Sequence, residues 1–375
     1  MGDVVSTIGE GLWQAFLMAY QVWWALVLGF AISAVVQVWV PRERIQASLA
    51  GGGVRPVARA TVLGAASSSC SYAAIAIAKS LFQKGASAVS ALAFQFASTN
   101  LVWELGLVLW VLLGWQFTLA EFLGGIVMIA LMGMALRLFV SRRVEKEARE
   151  HAQRAQEGHH HHHGDGGELS WRERLASLEA WSDVADNFRS DWRMLWKEIT
   201  VGFLLAGFIG LLGDDFFNAL FLKDASGPVK TLENVIAGPM IAVLSFVCSI
   251  GNVPLAAVLW SGGISFAGVM AFIFADLIVL PIIAAYRKYY GWPFTVRITA
   301  LMFLTMVVAA LIVDLVFGVA NLIPPTRPSR ADIFGSVQPD YKLALNVVAA
   351  AVFAGLMYLT VRRAAHDRAR PVPAS

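Results

Sequence analysis

The residues with the clearest capacity for chemistry are the chain's only two cysteines, Cys70 and Cys248, each followed directly by a serine. A thiol is a soft ligand that prefers soft metals and metalloids to magnesium or calcium. Two such thiols therefore predict a site for a soft solute. The alternative for either one is that a free cysteine is a small, often buried hydrophobe.

The two Cys-Ser pairs belong to two copies of one sequence, because residues 70–97 align with residues 248–275 without a gap. The alignment matches Cys-Ser with Cys-Ser, Gly85 with Gly263, and one Ala-Phe-x-Phe-Ala block with the other. Unrelated apolar segments share alanines by chance, but not these features at one constant offset. We interpret the match as an internal duplication.

Small polar residues surround both cysteines, and they supply hydroxyls, an amide and backbone groups. Such groups could hold an ion or a small polar solute, although small residues also let membrane helices pack closely. The predicted substrate-binding residues are Cys70, Ser69, Ser71, Cys248, Ser249, Gly251 and Asn252.

Two acidic residues, Glu104 and Asp276, follow the shared phenylalanine block of their copy within apolar sequence. Carboxylates at such depth are costly, and they are usually proton or ion carriers or partners of a basic residue. We therefore predict Glu104 and Asp276 as proton-coupling residues.

The composition indicates a polytopic membrane protein, since 58% of the residues are hydrophobic and only 15% are charged. The net charge of +3 gives no reason to expect a nucleic-acid partner. The first apolar segment lacks a basic flank and is long, so we expect a membrane helix and not a signal peptide. Runs long enough to cross a bilayer of roughly 30 Å occur at 12–40, 86–113, 117–140, 197–213, 264–286, 297–320 and 341–361.

Two further apolar stretches, 57–82 and 234–260, contain the cysteines. If both crossed the membrane, the arginines before residue 60 and those at 137–143 would face opposite sides, against the positive-inside rule. If both are re-entrant hairpins, every loop obeys the rule. Each half then has three spanning helices and one hairpin, and the second half is inverted. The alternative is nine spanning helices with a parallel repeat.

The predicted fold is an all-α polytopic membrane protein with an inverted-topology repeat and an extra C-terminal transmembrane helix. The N-terminus is expected outside, and the linker and C-terminus in the cytoplasm. Inverted repeats with broken helices that meet near the midplane are a recurring plan of secondary transporters. The predicted units are a first repeat at 1–140, a cytoplasmic linker at 141–196, a second repeat at 197–320, an outer loop at 321–340 and a final helix and tail at 341–375.

The linker is polar and contains five consecutive histidines. Histidines bind zinc, nickel or copper, though loosely in a flexible loop; a low-complexity run or an engineered tag would give the same pattern. Residues 168–196 place apolar side chains at near-helical spacing among charged residues, which predicts an amphipathic helix on the inner membrane face. The candidate metal ligands are His159, His160, His161, His162 and His163.

With these motifs the chain resembles the ArsP-type and YraQ-type predicted permeases, bacterial inner-membrane proteins with a duplicated half. The resemblance covers nearly all of the chain except the linker. It is carried by Ser69-Cys70-Ser71 and by Cys248-Ser249-Ile250-Gly251-x-x-Pro254, each followed by a glycine and the phenylalanine block.

The first copy departs from the family pattern, which is similar to Cys-Ser-Cys-Gly followed by a proline and a glycine turn. Tyr72, Ala73 and Ala76 stand where a cysteine, a glycine and the proline are expected. Named members of the family export trivalent organoarsenicals. The resemblance therefore implies a permease more strongly than it implies arsenic.

The sequence thus predicts a secondary permease, not an enzyme, that moves a small soft solute (a metalloid, an organoarsenical or a metal species) out across the inner membrane with protons. Alternatives are a transmembrane thiol–disulfide electron carrier, a permease for a sulfur or selenium anion, and a channel. Expected partners are the solute, the lipid membrane, a metal ion at the histidine run and a second copy in a homodimer. No cofactor is expected.

Overall fold

Every regular element of the computed structural model, over the residues it describes, is helical. This agrees with the predicted all-α class, and it is what a bilayer requires, since helices satisfy their own backbone groups. The described residues are 2–39, 53–67, 71–83, 85–154, 177–212, 216, 227–245, 249–329, 336–337 and 341–369. Ser69, Cys70, Cys248 and the five histidines at 159–163 lie outside them.

The helices fall into two similar series. The first is α1 (Gly2–Trp39), α2 (Val54–Ser67), α3 (Ser71–Gln83), α4 (Ala88–Asn100), α5 (Trp103–Leu112) and α6 (Trp115–Phe139), followed by the polar α7 (Arg142–Arg154). The second is α8 (Leu178–Ile209), α9 (Gly227–Ser245), α10 (Ser249–Gly262), α11 (Phe266–Phe274), a 3₁₀ helix (Ala275–Ile278), α12 (Leu280–Tyr290) and α13 (Trp292–Val319), followed by α14 (Tyr341–Ala369).

Among the described residues, four helices are long and apolar enough to cross a membrane, namely α1, α6, α13 and α14. Two bent pairs raise the number to as many as six: α4 with α5, bent by 41°, and α11 through its 3₁₀ helix with α12, bent by 40°. The chain is therefore a multi-pass membrane protein. The bends occur at equivalent places in the two series.

The stretches that contain the cysteines each form two helices, of 14 and 13 residues in the first copy and of 19 and 14 in the second. At about 1.5 Å per residue, the 14 residues of α2 and the 13 of α3 extend about 21 and 20 Å, less than the hydrocarbon thickness of roughly 30 Å. Both pack against α4, as α9 and α10 both pack against α11. Neither α2 nor α3 is long enough to cross a membrane alone.

The turn after each second short helix has the same geometry in both copies. Gly85 and Gly263 have φ angles of +103° and +110°, a region that L side chains rarely adopt. Ser87 then caps α4 and Ser265 caps α11, each accepting a backbone N–H three residues later. The conserved spacing of glycine and serine in the two copies thus corresponds to one repeated turn and N-cap.

An arginine from a distant part of the chain hydrogen-bonds to each of these turns. Arg149 of α7 and Arg327, after α13, each donate to two backbone carbonyls, 67 and 63 residues earlier in both cases. Each guanidinium also lies over an aromatic ring, at 4.3 and 3.9 Å from its centroid. The carbonyl oxygens belong to Phe82 and Ala86 in the first copy and to Trp260 and Ile264 in the second.

The long helix α8 differs from the sequence prediction. Residues 168–196 are predicted as a separate amphipathic helix on the membrane surface, but the described part, from Leu178 onward, continues without a break into the apolar segment. Phe188 is fully buried, and the Trp192 ring lies 5.3 Å from the Trp23 ring and 5.5 Å from the Phe353 ring. The apolar face of this segment therefore packs against α1 and α14 instead of lying on lipid.

The last helix, α14, is fixed to α1 by polar contacts. The Asn346 side chain donates to the Tyr20 backbone carbonyl oxygen at 2.9 Å and accepts from the Trp24 backbone N–H at 3.0 Å. The Lys342 ammonium donates to the Gln21 side chain at 2.9 Å. The helix beyond the duplication is thus an integral part of the bundle.

Candidate functional site

The described part of the candidate site is centred on Asp276, which is fully buried. It lies in the 3₁₀ helix that joins α11 to α12 at the 40° bend. A short 3₁₀ segment within an otherwise α-helical span often marks a functional hinge. The bend places a carboxylate in the interior of the helix bundle.

The Asp276 carboxylate joins the two copies of the duplication. Its Oδ2 atom accepts a hydrogen bond from the Ser71 hydroxyl at 3.0 Å and another from the Ser249 hydroxyl at 2.5 Å. The first of these bonds connects residues 205 positions apart. Each serine directly follows one of the cysteines in the chain.

The electrostatic environment at this point favours a negative charge. Ser71 is the first residue of α3 and Ser249 is the first residue of α10. A helix N-terminus carries a partial positive charge, which stabilises an anion nearby. Two hydroxyl donors and two helix N-termini therefore converge on one buried carboxylate.

Asn252 and Gly251 lie in the first turn of α10, beside Ser249. The Asn252 amide is fully buried, and its Oδ1 atom accepts from the Ser245 hydroxyl at 3.3 Å. Its Nδ2 group has no hydrogen-bond partner within the described part of the chain. Gly251 packs against Gly202 of α8, where a side-chain Cβ on Gly202 would overlap the Gly251 carbonyl oxygen. The amide thus offers a buried donor next to the serines.

Glu104, the other predicted coupling residue, lies in the first turn of α5, just after the 41° bend. It is 5% exposed and packs against α1, where a Cβ on Gly29 would lie 2.5 Å from the Glu104 Cβ. The structure therefore places Glu104 at the contact between α1 and α5. Of the two predicted acids, Asp276 is the one that bonds to the serines.

A third buried acid, Glu121 of α6, was missed by the sequence reasoning. It is fully buried, and neither carboxylate oxygen has a hydrogen-bond partner within the described residues. Its charge interacts with that of Asp276. The available signal was an isolated acid inside an apolar run, which in a membrane segment suggests a functional residue by default.

A polar contact also joins the two bent helices. The Gln95 side-chain amide of α4 donates to the Tyr286 hydroxyl of α12, and both side chains are fully buried. The Tyr286 hydroxyl in turn contacts the Met302 sulfur of α13 at 3.7 Å. The bends of the two copies are therefore linked through side chains as well as through Asp276.

The predicted metal ligands at 159–163 are not among the described residues. Within the described segments, no three histidine, cysteine, aspartate or glutamate side chains are grouped so as to hold a metal ion.

The apolar helices, the bends and the buried polar site define a multi-pass membrane protein with an intramembrane polar centre. The sequence profile of the ArsP_1 family, described as "Predicted permease", matches residues 14–318. The chain is also 45% identical over 325 residues to "Putative permease Rv2963" of Mycobacterium tuberculosis, which covers 85% of this chain and 79% of that protein. No solved structure matches the chain. The chain belongs to the ArsP_1 family of predicted permeases.

Proposed function

We propose that the protein is a secondary permease that moves a small soft solute out across the bacterial inner membrane in exchange for protons. Family membership supports the permease class. The location of the site is inferred from the Asp276 carboxylate, which accepts hydrogen bonds from both Ser71 and Ser249. The substrate site then lies where the two copies meet.

The transport mechanism follows from an inverted repeat. The break between the short helices α2 and α3 fits a re-entrant hairpin, and the positive-inside rule favours the hairpin over a stretch that simply spans. The loop charges then place the N-terminus outside and the C-terminus inside. In this arrangement the hairpin tips approach from opposite sides, and rocking of one half against the other exposes the site alternately to each side.

The solute class follows from the residues next to the serines. Cys70 and Cys248 would contribute soft thiol ligands, while Ser69 and the first turn of α10 would contribute hydroxyl and amide groups. Such a set suits a metalloid, an organoarsenical or a soft metal species. Asp276 and Glu104 would exchange the protons that drive transport.

The test is uptake of a labelled trivalent methylarsenical into inside-out membrane vesicles under an imposed proton gradient. We expect gradient-driven uptake in the wild type and its loss in the Cys70→Ser, Cys248→Ser double variant. Ser261→Ala, which removes a hydroxyl elsewhere on α10, is the matched control and should transport normally. Wild-type vesicles that contain folded protein and show no uptake would contradict the arsenical assignment.

A second candidate is a thiol–disulfide electron carrier. The same contact favours it, because Ser71 and Ser249 share one hydrogen-bond acceptor and each directly follows a cysteine in the chain. In this case Cys70 and Cys248 would lose two electrons and two protons to a soluble protein disulfide and form a disulfide themselves. Trapping of a mixed disulfide with that partner would support it, whereas thiols that stay reduced would support the permease.

A further inference from the structure

Glu121 has no role in the site described so far, although its buried position is unfavourable for an unpaired carboxylate. It is fully buried on α6, and both of its carboxylate oxygens lack a hydrogen-bond partner in the described structure. An isolated buried carboxylate is strongly disfavoured unless it is paired or neutralised. A proton or a bound cation must therefore accompany this group.

The position of Glu121 brings it to the two bends. One turn further along α6, the backbone is in close contact with both copies. A Cβ on Gly124 would overlap the Phe274 ring at the end of α11, and a Cβ on Gly125 would lie 3.5 Å from the Asn100 Cβ at the end of α4. The turn of α6 that follows Glu121 therefore packs against the points where both spans break.

Asp276 lies two residues after Phe274, whose ring packs on the α6 backbone at Gly124, and the negative charge of Asp276 acts on Glu121. No described basic side chain hydrogen-bonds or ion-pairs with either carboxylate. The helices α4 and α11 carry no titratable residue. The Tyr286 hydroxyl of α12 bonds to the Gln95 amide and contacts the Met302 sulfur. The other titratable groups on the helices packed against α6 are Glu104 of α5 and Arg297 and Asp314 of α13.

These remaining groups do not neutralise the pair. Glu104 is itself an acid and packs against α1. Arg297 is exposed and donates to the Pro293 carbonyl at 2.7 Å. Asp314 accepts from the Ala267 backbone N–H. The helices packed against the 3₁₀ helix also carry Lys230, near the start of α9, and Arg287 and Lys288, in the last turn of α12, and none of them is bonded to either carboxylate within the described residues. Two buried acids without a cationic residue bonded to them cannot both stay ionised unless a cation binds.

We propose that Glu121 and Asp276 together hold one small monovalent cation, a proton or Na⁺, at the junction of the two bent helices. This cation is the coupling ion of the permease. The assignment of coupling rests on the proposed function, whereas cation binding itself does not. Because Asp276 also accepts from Ser71 and Ser249, the occupancy of the pair acts directly on the contact between the two copies.

The test needs no transported solute. A hydrophobic carbodiimide reacts with protonated carboxyl groups, so peptide mapping by mass spectrometry of the purified full-length protein in lipid reports the protonation of Glu121. Labelling is measured from pH 5 to 9, with Na⁺ and with choline in its place. We expect Glu121 to be labelled, and the labelling to disappear as the pH rises or as Na⁺ is added. A pH effect alone identifies the proton, and protection at constant pH identifies Na⁺.

The pairing is tested with Asp276→Asn, which removes the repelling charge. We expect the pH midpoint of Glu121 labelling to move about one unit or more toward lower pH, as coupled sites do. If this variant does not fold, Asp276→Ser serves instead, since the aligned residue of the first copy is Ser98. Asp314→Asn is the matched control, because its carboxylate already has a donor, and should leave the midpoint unchanged.

The inference is overturned if Glu121 resists labelling under all conditions, or if its midpoint is the same with and without the Asp276 carboxylate. Gradient-driven solute uptake with an unchanged midpoint would remove the inference and leave the permease intact. A shifted midpoint without any solute uptake would remove the proposed function and leave the cation site.

Discussion

Removal of the two serine hydroxyls at Asp276 tests whether the two copies of the duplication meet there. Ser71→Ala and Ser249→Ala each delete one hydrogen bond to the same carboxylate oxygen, at 3.0 and 2.5 Å. The substitutions are small and remove no apolar contact. Any loss of stability therefore measures the bond and the desolvated carboxylate that remains.

The expected magnitude depends on the charge of the acceptor. A hydrogen bond to a charged group contributes about 1.5–3 kcal/mol, and one between neutral groups about 0.5–1.5 kcal/mol. With Asp276 ionised, each variant should lose about 2 kcal/mol. The double variant should lose about 3–6 kcal/mol, because both side-chain donors are then gone. Both losses should grow as the pH rises, since ionisation of Asp276 strengthens the bonds.

The assay is the free energy of unfolding of the purified protein in mixed micelles, followed by titration with sodium dodecyl sulfate. A double-mutant cycle with Asp276→Asn gives the interaction free energy between each serine and Asp276, for which about 0.5–3 kcal/mol is expected. The control is Ser261→Ala, because the Ser261 hydroxyl donates to the Val258 carbonyl of its own helix at 2.9 Å. That control should change stability by no more than about 0.5 kcal/mol.

The reasoning is refuted if the serine variants behave like the Ser261→Ala control. A coupling energy below about 0.3 kcal/mol for both cycles would show that the hydroxyls do not bind Asp276. The substrate site would then have to be sought away from the junction of the copies.

The remaining predictions concern packing and the turns. Gly202→Ala should destabilise the protein by about 1–3 kcal/mol, because the added Cβ overlaps the backbone of α10. Gly355→Ala, where a Cβ meets nothing within 4 Å, should be neutral or slightly stabilising. Thermal unfolding of both variants checks this. Arg149→Lys and Arg327→Lys should each lose about 1–3 kcal/mol by the same assay, because lysine cannot bind two carbonyls and lie flat on a ring at once. Burial lowers the pKa of Arg327 to about 10, so the stability lost in Arg327→Lys should be constant from pH 6 to 8. If only one of the two arginine variants lost stability, the two arginines would not be equivalent.

The sequence was sufficient for the features that depend on local signals. The apolar runs located the long helices, and the Cys-Ser sequences coincided with the places where α2 ends before α3 and α9 ends before α10. The shared glycine of the copies predicted a repeated turn, since a positive φ angle favours glycine. These signals act within a few residues of the chain.

The sequence misjudged α8 because periodicity within 168–196 showed an apolar face but not what would cover it. Lipid and a neighbouring helix are equally apolar partners, and α1 and α14 proved to be the partners of Phe188 and Trp192. Glu104 and Glu121 show the same limit. Both are isolated acids in apolar runs, and their positions along the chain gave no indication that Glu104 packs against α1 whereas the helix of Glu121 packs against α11.

The sequence by itself therefore determined the membrane class, the helical fold, the duplication and the residue types at the breaks. Only the tertiary structure decided that Asp276 accepts hydrogen bonds from Ser71 and Ser249, that Glu121 is buried without a hydrogen-bond partner among the described residues, and that an arginine bonds to each repeated turn. The physical reason is that a membrane helix is apolar on most of its faces, so its sequence carries little information about which side is buried. That choice is made by long-range contacts between small and polar residues, over separations such as the 205 positions from Ser71 to Asp276.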